Sequence, residues 1–206
     1  MNIIIHRGTH QIGGSAIEIS TASTRIILDF GNELSLDEKY IPINLDIDGV
    51  TKGMPDCDGI VISHYHIDHL GQLTSALPEI PLYMGKLSKE VAMIATEHQD
   101  KDLYLRLLGA NTFRGGEAFT IGNIHIRPLV IDHSAVDSYM FVIEAEGKRV
   151  LYTGDFRMHG LRSHIVEKLV KTYIGEVDVL ITEGTLVSRG VNDGISEAAV
   201  LRSEER

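Results

Sequence analysis

The fold class this sequence predicts is an α/β sandwich of the α+β type, with strands gathered into two groups and helices set mainly between them. Three observations carry the prediction. The chain opens with strand patterns joined by short turns, where a Rossmann fold would open with a βαβ unit. Helical periodicity is concentrated in the middle of the chain. Strand patterns then return after Gly115-Gly116. With 206 residues, 43% of them apolar, the chain is long enough for one domain with a true core, spanning 1–206.

Taken in order, residues 2–6 form a short β-rich run, followed by a turn-rich connection from Gly8 to Gly14. Residues 16–19 alternate as a half-buried strand, Thr21-Ala22-Ser23 makes a hairpin turn, and residues 25–30 return. Residues 32–57 show weak periodicity and hold Pro42 and Pro55, which predicts a long surface loop beside the active site. The apolar run Ile60-Val61-Ile62 reads as a buried strand. A short helix is expected over 70–77, stopped by Pro78, then a strand over 81–84. A longer helix follows from Ser88, with Leu87, Val91, Ile94 and Ala95 on one side, and Asp100-Lys101-Asp102 interrupts it. Further strands are expected at 119–121, 124–131, 140–144, 150–152 and 177–182, with reversals at Gly122-Asn123 and Gly147-Lys148. Residues 165–170 are helical in pattern. A last helix starts near Ser196 as N-cap and ends in Glu204-Glu205-Arg206.

No apolar run approaches the length of a membrane span. The N-terminus lacks the basic segment, apolar core and cleavage site of a signal peptide, and Cys57 is alone, which fits a reducing cytoplasm. The net charge is 19 − 29 = −10 with neutral histidine. That argues against a broad basic face for nucleic acid, while leaving room for a phosphodiester received by bound cations.

The chemistry concentrates in Ser63-His64-Tyr65-His66-Ile67-Asp68-His69, directly after a buried strand. At extended spacing His64 and His66 point the same way, and Tyr65 points to the opposite face as a packing residue. Asp68 and His69 lie just beyond, at a helix entry. That suits one metal on His64 and His66 and another on Asp68 and His69, with zinc the first candidate and manganese or iron the others. Two more apolar runs end in metal-binding types, Asp132-His133-Ser134 and Gly154-Asp155-Phe156-Arg157. Asp29, closing its own strand, reads either as a turn cap or as a group that holds the histidine loop. His6, His10 and His98 read as surface residues. Arg157 reads as a contact for a substrate phosphate or as the partner of a nearby acid.

With these residues in hand, the sequence resembles the metallo-β-lactamase superfamily, through Asp29, the His64–His69 motif, His133 and Asp155 in order at strand ends. The resemblance implies an αββα sandwich with a dinuclear site at one edge. His64, His66 and His133 would bind one divalent metal, Asp68 and His69 the other, and Asp155 would bridge; both ions would be zinc, or manganese. Within that superfamily it is most similar to the β-CASP branch, which includes RNase J, through residues 133–138, 154–157 and Glu183. That branch implies a cytoplasmic hydrolase of RNA, with Asp68, Asp155 and Glu183 in catalytic roles. The pattern departs at its end: the family supplies one more histidine, and none follows His164. The resemblance therefore implies the N-terminal portion of such a domain, ending near where a β-CASP insertion begins. Two other functions stay open on the same residues: thioester or lactone hydrolysis, and a truncated domain that binds metal with little or no turnover.

Overall fold

Alternation along the strands decides how the layers stack. In the computed structural model, which describes residues 1–35, 37, 42–185 and 197, β1 (Asn2–Arg7), β2 (Ala16–Ser20) and β3 (Arg25–Leu28) form an antiparallel meander. β4 (Gly59–Val61), β5 (Leu82–Gly85) and β6 (Asn111–Phe113) extend it in parallel, in the order β1-β2-β3-β4-β5-β6. A second sheet follows: β7 (Phe119–Ile121), β8 (Ile124–Ile131), β9 (Ser138–Ala145) and β10 (Lys148–Tyr152) are antiparallel, and β11 (Val179–Ile181) joins β10 in parallel. The reversals fall at Gly122-Asn123 and at Gly147, as expected, and Thr21 closes the β2–β3 hairpin through its N–H to Thr24 O (2.8 Å).

Residues of opposite parity go to opposite cores. Ile26, Leu28 and Val61 join Ile126, Phe141 and Val150 between the sheets. Ile27, Ile60 and Ile62 face outward, under α1 (Ile67–Leu70), α2 (Lys86–Thr96) and α3 (Lys101–Leu108). On the far side Leu129, Met140 and Leu151 pack under α4 (His164–Leu169), which runs on into a π-helical turn, Val170–Ile174. The four layers are helix, sheet, sheet, helix. Strands covered on both faces need apolar residues at every position, which explains the continuous runs at 26–28 and 60–62. Among the described residues no helix is long and apolar enough to cross a membrane.

Several local expectations need correction. The helix expected at 70–77 is instead one turn, Ile67–Leu70, followed by tight turns. Gln72 gives its N–H to Phe30 O (2.9 Å), so the donor that would continue the helix is spent elsewhere, and the Ser75 hydroxyl occupies Gln72 O (2.7 Å). On α2 the side that meets the sheet is not centred on that apolar stripe. Small residues, Ser88 and Ala92, face the sheet, while Leu87 and Ile94 are 50% and 76% exposed. Close approach of helix to sheet favours small side chains over the apolar stripe. The interruption at 100–102 is a new start, since Asp100 caps α3 by accepting from Leu103 N–H (3.0 Å). β6 and the parallel half of the first sheet went unanticipated; α1 and the α2–α3 pair supply the β4–β5 and β5–β6 crossovers. Residues 192–196 and 198–206, where a final helix is expected, lie outside the described residues.

Gly31 shows how tightly this fold holds the segment that carries the histidines. Phe30, Gly31 and Asn32 donate to the carbonyls of His69, Ser15 and Ile67. A Cβ on Gly31 would sit 1.6 Å from the carbonyl oxygen of Asp68. At Gly53, by contrast, a Cβ meets nothing within 4 Å, although φ is +76°. Gly31→Ala is therefore expected to cost about 3 kcal/mol or more in urea unfolding through overpacking. Gly53→Ala should cost only about 1 kcal/mol, from its left-handed backbone. Equal losses for the two variants would contradict the close contact.

Candidate metal centre

One end of the sandwich gathers the loops that leave β3, β4, β8 and β10, and each brings a polar residue that its strand could not bury. Asp29 follows β3 with a left-handed backbone, φ +54°. Ser63 to His69 follow β4 and run into α1, His133 lies between β8 and β9, and Asp155 follows β10.

Asp29 is fully buried and accepts four hydrogen bonds. Oδ1 takes the Ser63 N–H (2.7 Å). Oδ2 takes the Ser63 hydroxyl (2.7 Å), the Tyr152 hydroxyl (2.5 Å) and the His69 Nδ1–H (2.7 Å). Two tautomers follow from this. With Nδ1 donating to Asp29, His69 presents Nε2 to the cleft. The Ser63 hydroxyl has one proton, given to Asp29, so at 3.0 Å from His64 it must accept from His64 Nδ1–H. Neutral His64 then presents a bare Nε2. One carboxylate thus aims two imidazoles.

The His64 lone pair meets two further imidazoles. His64 Nε2 lies 3.1 Å from His66 Nδ1, which lies 3.2 Å from His133 Nε2. Ligand nitrogens at about 2.0–2.1 Å from a tetrahedral zinc stand about 3.3 Å apart, so the spacing and the donor type both fit a cation. A second group, His64, His69 and Asp155, also brings its ligand atoms within 4.8 Å of one another. Asp155 reaches both: Oδ1 is 3.3 Å from His69 Nε2, and Oδ2 is 3.8 Å from His133 Nε2. Asp68 Oδ2 lies 3.6 Å from His69 Nε2. The structure therefore brings together all six residues that the sequence singled out as ligands.

Charge divides the cluster. Burial drives His64 far below the usual imidazole range and His133 down to about 4, and it lowers His66 as well. These three are neutral donors at pH 7. Burial works against charge on His69 too, but Asp29 and Asp155 outweigh it and push that imidazole up to about 10. Burial likewise opposes charge on Asp155, yet His69, His133 and His66 hold it below the ordinary carboxylate value, while burial raises Asp68. A cation replacing the proton on His69 Nε2 would face the Asp155 carboxylate that this proton now faces.

The cluster opens into a cleft of about 770 Å³. Glu183 lines it, half-buried, with Oε1 accepting the Phe156 N–H (2.7 Å); burial raises its pKa. His10 lines the same cleft and is exposed. His6 is occupied by Glu18 (3.0 Å), and His98 is on the surface. Arg157 takes the acid-pairing role: Nε meets Asp132 (3.2 Å) and Nη1 meets Glu197 (2.7 Å). Tyr65 packs against the outer core, as its alternation predicts.

Three functional contributors escaped the sequence reading. Arg7 spends its guanidinium on the carbonyls of Gly14 (3.2 Å), Ile43 (2.7 Å) and Gly31 (2.6 Å), bracing the cleft wall. Ser63 and Tyr152 hold Asp29. A serine directly before the motif was a visible signal; Tyr152, at the end of an apolar strand, was not. Asp29→Asn would turn an amide N–H₂ toward at least one of the buried donors. It is expected to lose about 2–3 kcal/mol in thermal or urea unfolding and to weaken metal binding by about 10- to 100-fold. An unchanged unfolding midpoint would show that Asp29 does not hold the loop.

Comparison with known proteins agrees with this geometry. An RNase J-like protein of Methanocaldococcus jannaschii is 28% identical over 195 residues, covering 87% of this chain but only 41% of that relative. A crystal structure of a protein of unknown function from Enterococcus faecalis superposes with a TM-score of 0.80 at 20% identity, covering 98% of this chain and 56% of the other. Zn(2+)-bound PqqB from Methylobacterium extorquens shares the fold more distantly, with a TM-score of 0.52 at 13% identity, covering 90% of this chain and 66% of the other. The chain spans less than half the length of the first of these. Residues 26–196 match the family described as the Beta-lactamase superfamily domain, and with two sheets between helices and histidines gathered at one end, the chain belongs to the metallo-β-lactamase superfamily.

Proposed function

We propose that this chain carries the metal-binding half of a hydrolase that cleaves phosphodiester bonds in RNA. The observation that carries the reading is Asp155, whose two carboxylate oxygens face His69 on one side and His133 on the other. In this reading His64, His66 and His133 would hold one divalent cation, Asp68 and His69 would hold a second, and Asp155 would serve both. Zinc suits the imidazole-rich first set, and manganese is the alternative. Two such cations would acidify a water to attack near neutral pH and would neutralise charge on the phosphate. The chain's own residues do the remaining work. Asp29 and Ser63 aim His64 and His69 and keep their outer nitrogens protonated. Asp68, whose pKa burial raises, would accept the one proton the water loses, and Asp155, held below the ordinary carboxylate value, would orient that water. Glu183 accepts the Phe156 N–H beside Asp155, and burial raises its pKa above the ordinary carboxylate value. RNA as substrate draws on the name of the Methanocaldococcus relative, of which this chain spans a part.

A second substrate class has one observation in its favour. Among the described residues lining the cleft, Arg7 is the one arginine or lysine, and its guanidinium meets three backbone carbonyls and the Glu33 carboxylate (3.7 Å). A phosphate would be received by the metals alone, whereas an uncharged thioester or lactone would need no further cation.

Turnover of a 5′-labelled RNA, run beside a thioester, separates the two. RNA cleavage that falls by about a hundredfold or more in His66→Ala is the expected result; cleavage that survives the substitution would sink the metal assignment. Glu183→Gln keeps the acceptor for Phe156 but cannot ionise. It is expected to lower kcat by about tenfold or more and to change the pH profile. A profile identical to that of the parent would leave Glu183 a loop anchor only.

A further inference from the structure

Helix α2 has no cap of its own. It begins Gly85-Lys86-Leu87-Ser88, with no side-chain cap and no acid in its first turn. The missing acceptor comes from the other sheet. Asp137, between β8 and β9, accepts the N–H groups of Leu87 (2.9 Å) and Ser88 (3.0 Å) on Oδ2, and the Tyr139 hydroxyl (2.5 Å) on Oδ1. Its backbone is left-handed, φ +62°, a conformation that Asp and Asn tolerate better than most residues.

The loop that Asp137 closes also carries His133. Ser138 Oγ donates to Ala135 O (2.8 Å), folding the loop on itself, and Tyr139 N–H donates to Ser63 O (3.1 Å), beside His64. The loop is therefore tied to the first sheet's layer at two points, Ser63 and the start of α2. Gly85 keeps the second tie open. A Cβ there would lie 2.4 Å from Asp137 Oδ2 and 2.5 Å from Tyr139 Cε2. The backbone at Gly85 is ordinary, φ −61° and ψ 145°, so its bareness answers to Asp137 and Tyr139 and not to its own conformation.

We propose that Asp137 is a positioning residue for His133: by capping α2 across the sandwich, it sets His133 against His66 and His64. The proposal rests on reading those three histidines as a metal site, and it adds to that site a strut outside the cluster.

The test is a Co²⁺ titration of the full chain against a competing chelator, followed by the visible spectrum, with thermal unfolding recorded for each variant. Asp137→Asn keeps the left-handed backbone at ease but leaves either α2 or Tyr139 without its acceptor. Gly85→Ala pushes the carboxylate aside without altering it. Asp100→Ala removes the cap of α3, which bonds no part of the histidine loop, and controls for lost stability. Asp137→Asn and Gly85→Ala are each expected to bind Co²⁺ about tenfold or more weakly, with a changed spectrum. Asp100→Ala should lower the unfolding midpoint while holding parental affinity to within about twofold. Parental affinity and spectrum in both Asp137→Asn and Gly85→Ala would overturn the proposal. So would equal weakening in Asp100→Ala, because stability alone would then account for it. A parent chain that binds no Co²⁺ would remove the metal reading and the proposal together.

Discussion

Everything at the open end of this sandwich depends on one buried carboxylate. Taking an ionised carboxylate out of water costs several kcal/mol unless hydrogen bonds return it. Asp29 receives four, from Ser63 twice, from His69 and from Tyr152. The donors come from the β4 loop, from α1 and from the end of β10, so the bonds that make the burial tolerable also draw three segments to one point. The residue that accepts them sits in a left-handed backbone conformation, a small local cost that aims the carboxylate inward.

From that point outward, each layer of the site narrows what the next can do. Asp29 decides which nitrogen of His64 and of His69 faces the cleft. Burial then keeps His64, His66 and His133 neutral, and neutral imidazoles are ligands where protonated ones are not. The acids on the other side, Asp68 and Asp155, give the cleft an asymmetric donor set, nitrogen-rich toward His133 and oxygen-rich toward Asp68. Arg7 and Gly31 keep the wall beside Asp68 in place, one by its three carbonyl bonds and the other by lacking a side chain.

Much of this was legible in the sequence, for a physical reason. Metal-ligand types at the ends of apolar runs are costly anywhere but at a strand's mouth, so His64, His66, Asp68, His69, His133 and Asp155 could be read by their position. The strands of both sheets, β6 apart, were legible from alternation and turns, but the parallel pairing in the first sheet was not. What escaped depends on partners far away in the chain. The packed side of α2 is set by how closely Ser88 and Ala92 approach the sheet, not by the apolar stripe of Leu87 and Ile94. The length of α1 is set by Phe30 taking the Gln72 N–H. The roles of Arg7, Tyr152 and Asp137 exist only once loops 24 to 123 residues apart have met.

The span between Asp29 and Tyr152 has a consequence for how the chain is made. The two residues are 123 positions apart. At about 5–20 residues per second, a ribosome would need roughly 6–25 s after placing Asp29 to reach the hydroxyl that completes its shell. Throughout that interval the first sheet holds an acid with an unfinished set of donors. The helix-covered core, built from residues 16 to 110, can form before β10 exists, whereas the shell of Asp29 closes only when Tyr152 arrives with the second sheet.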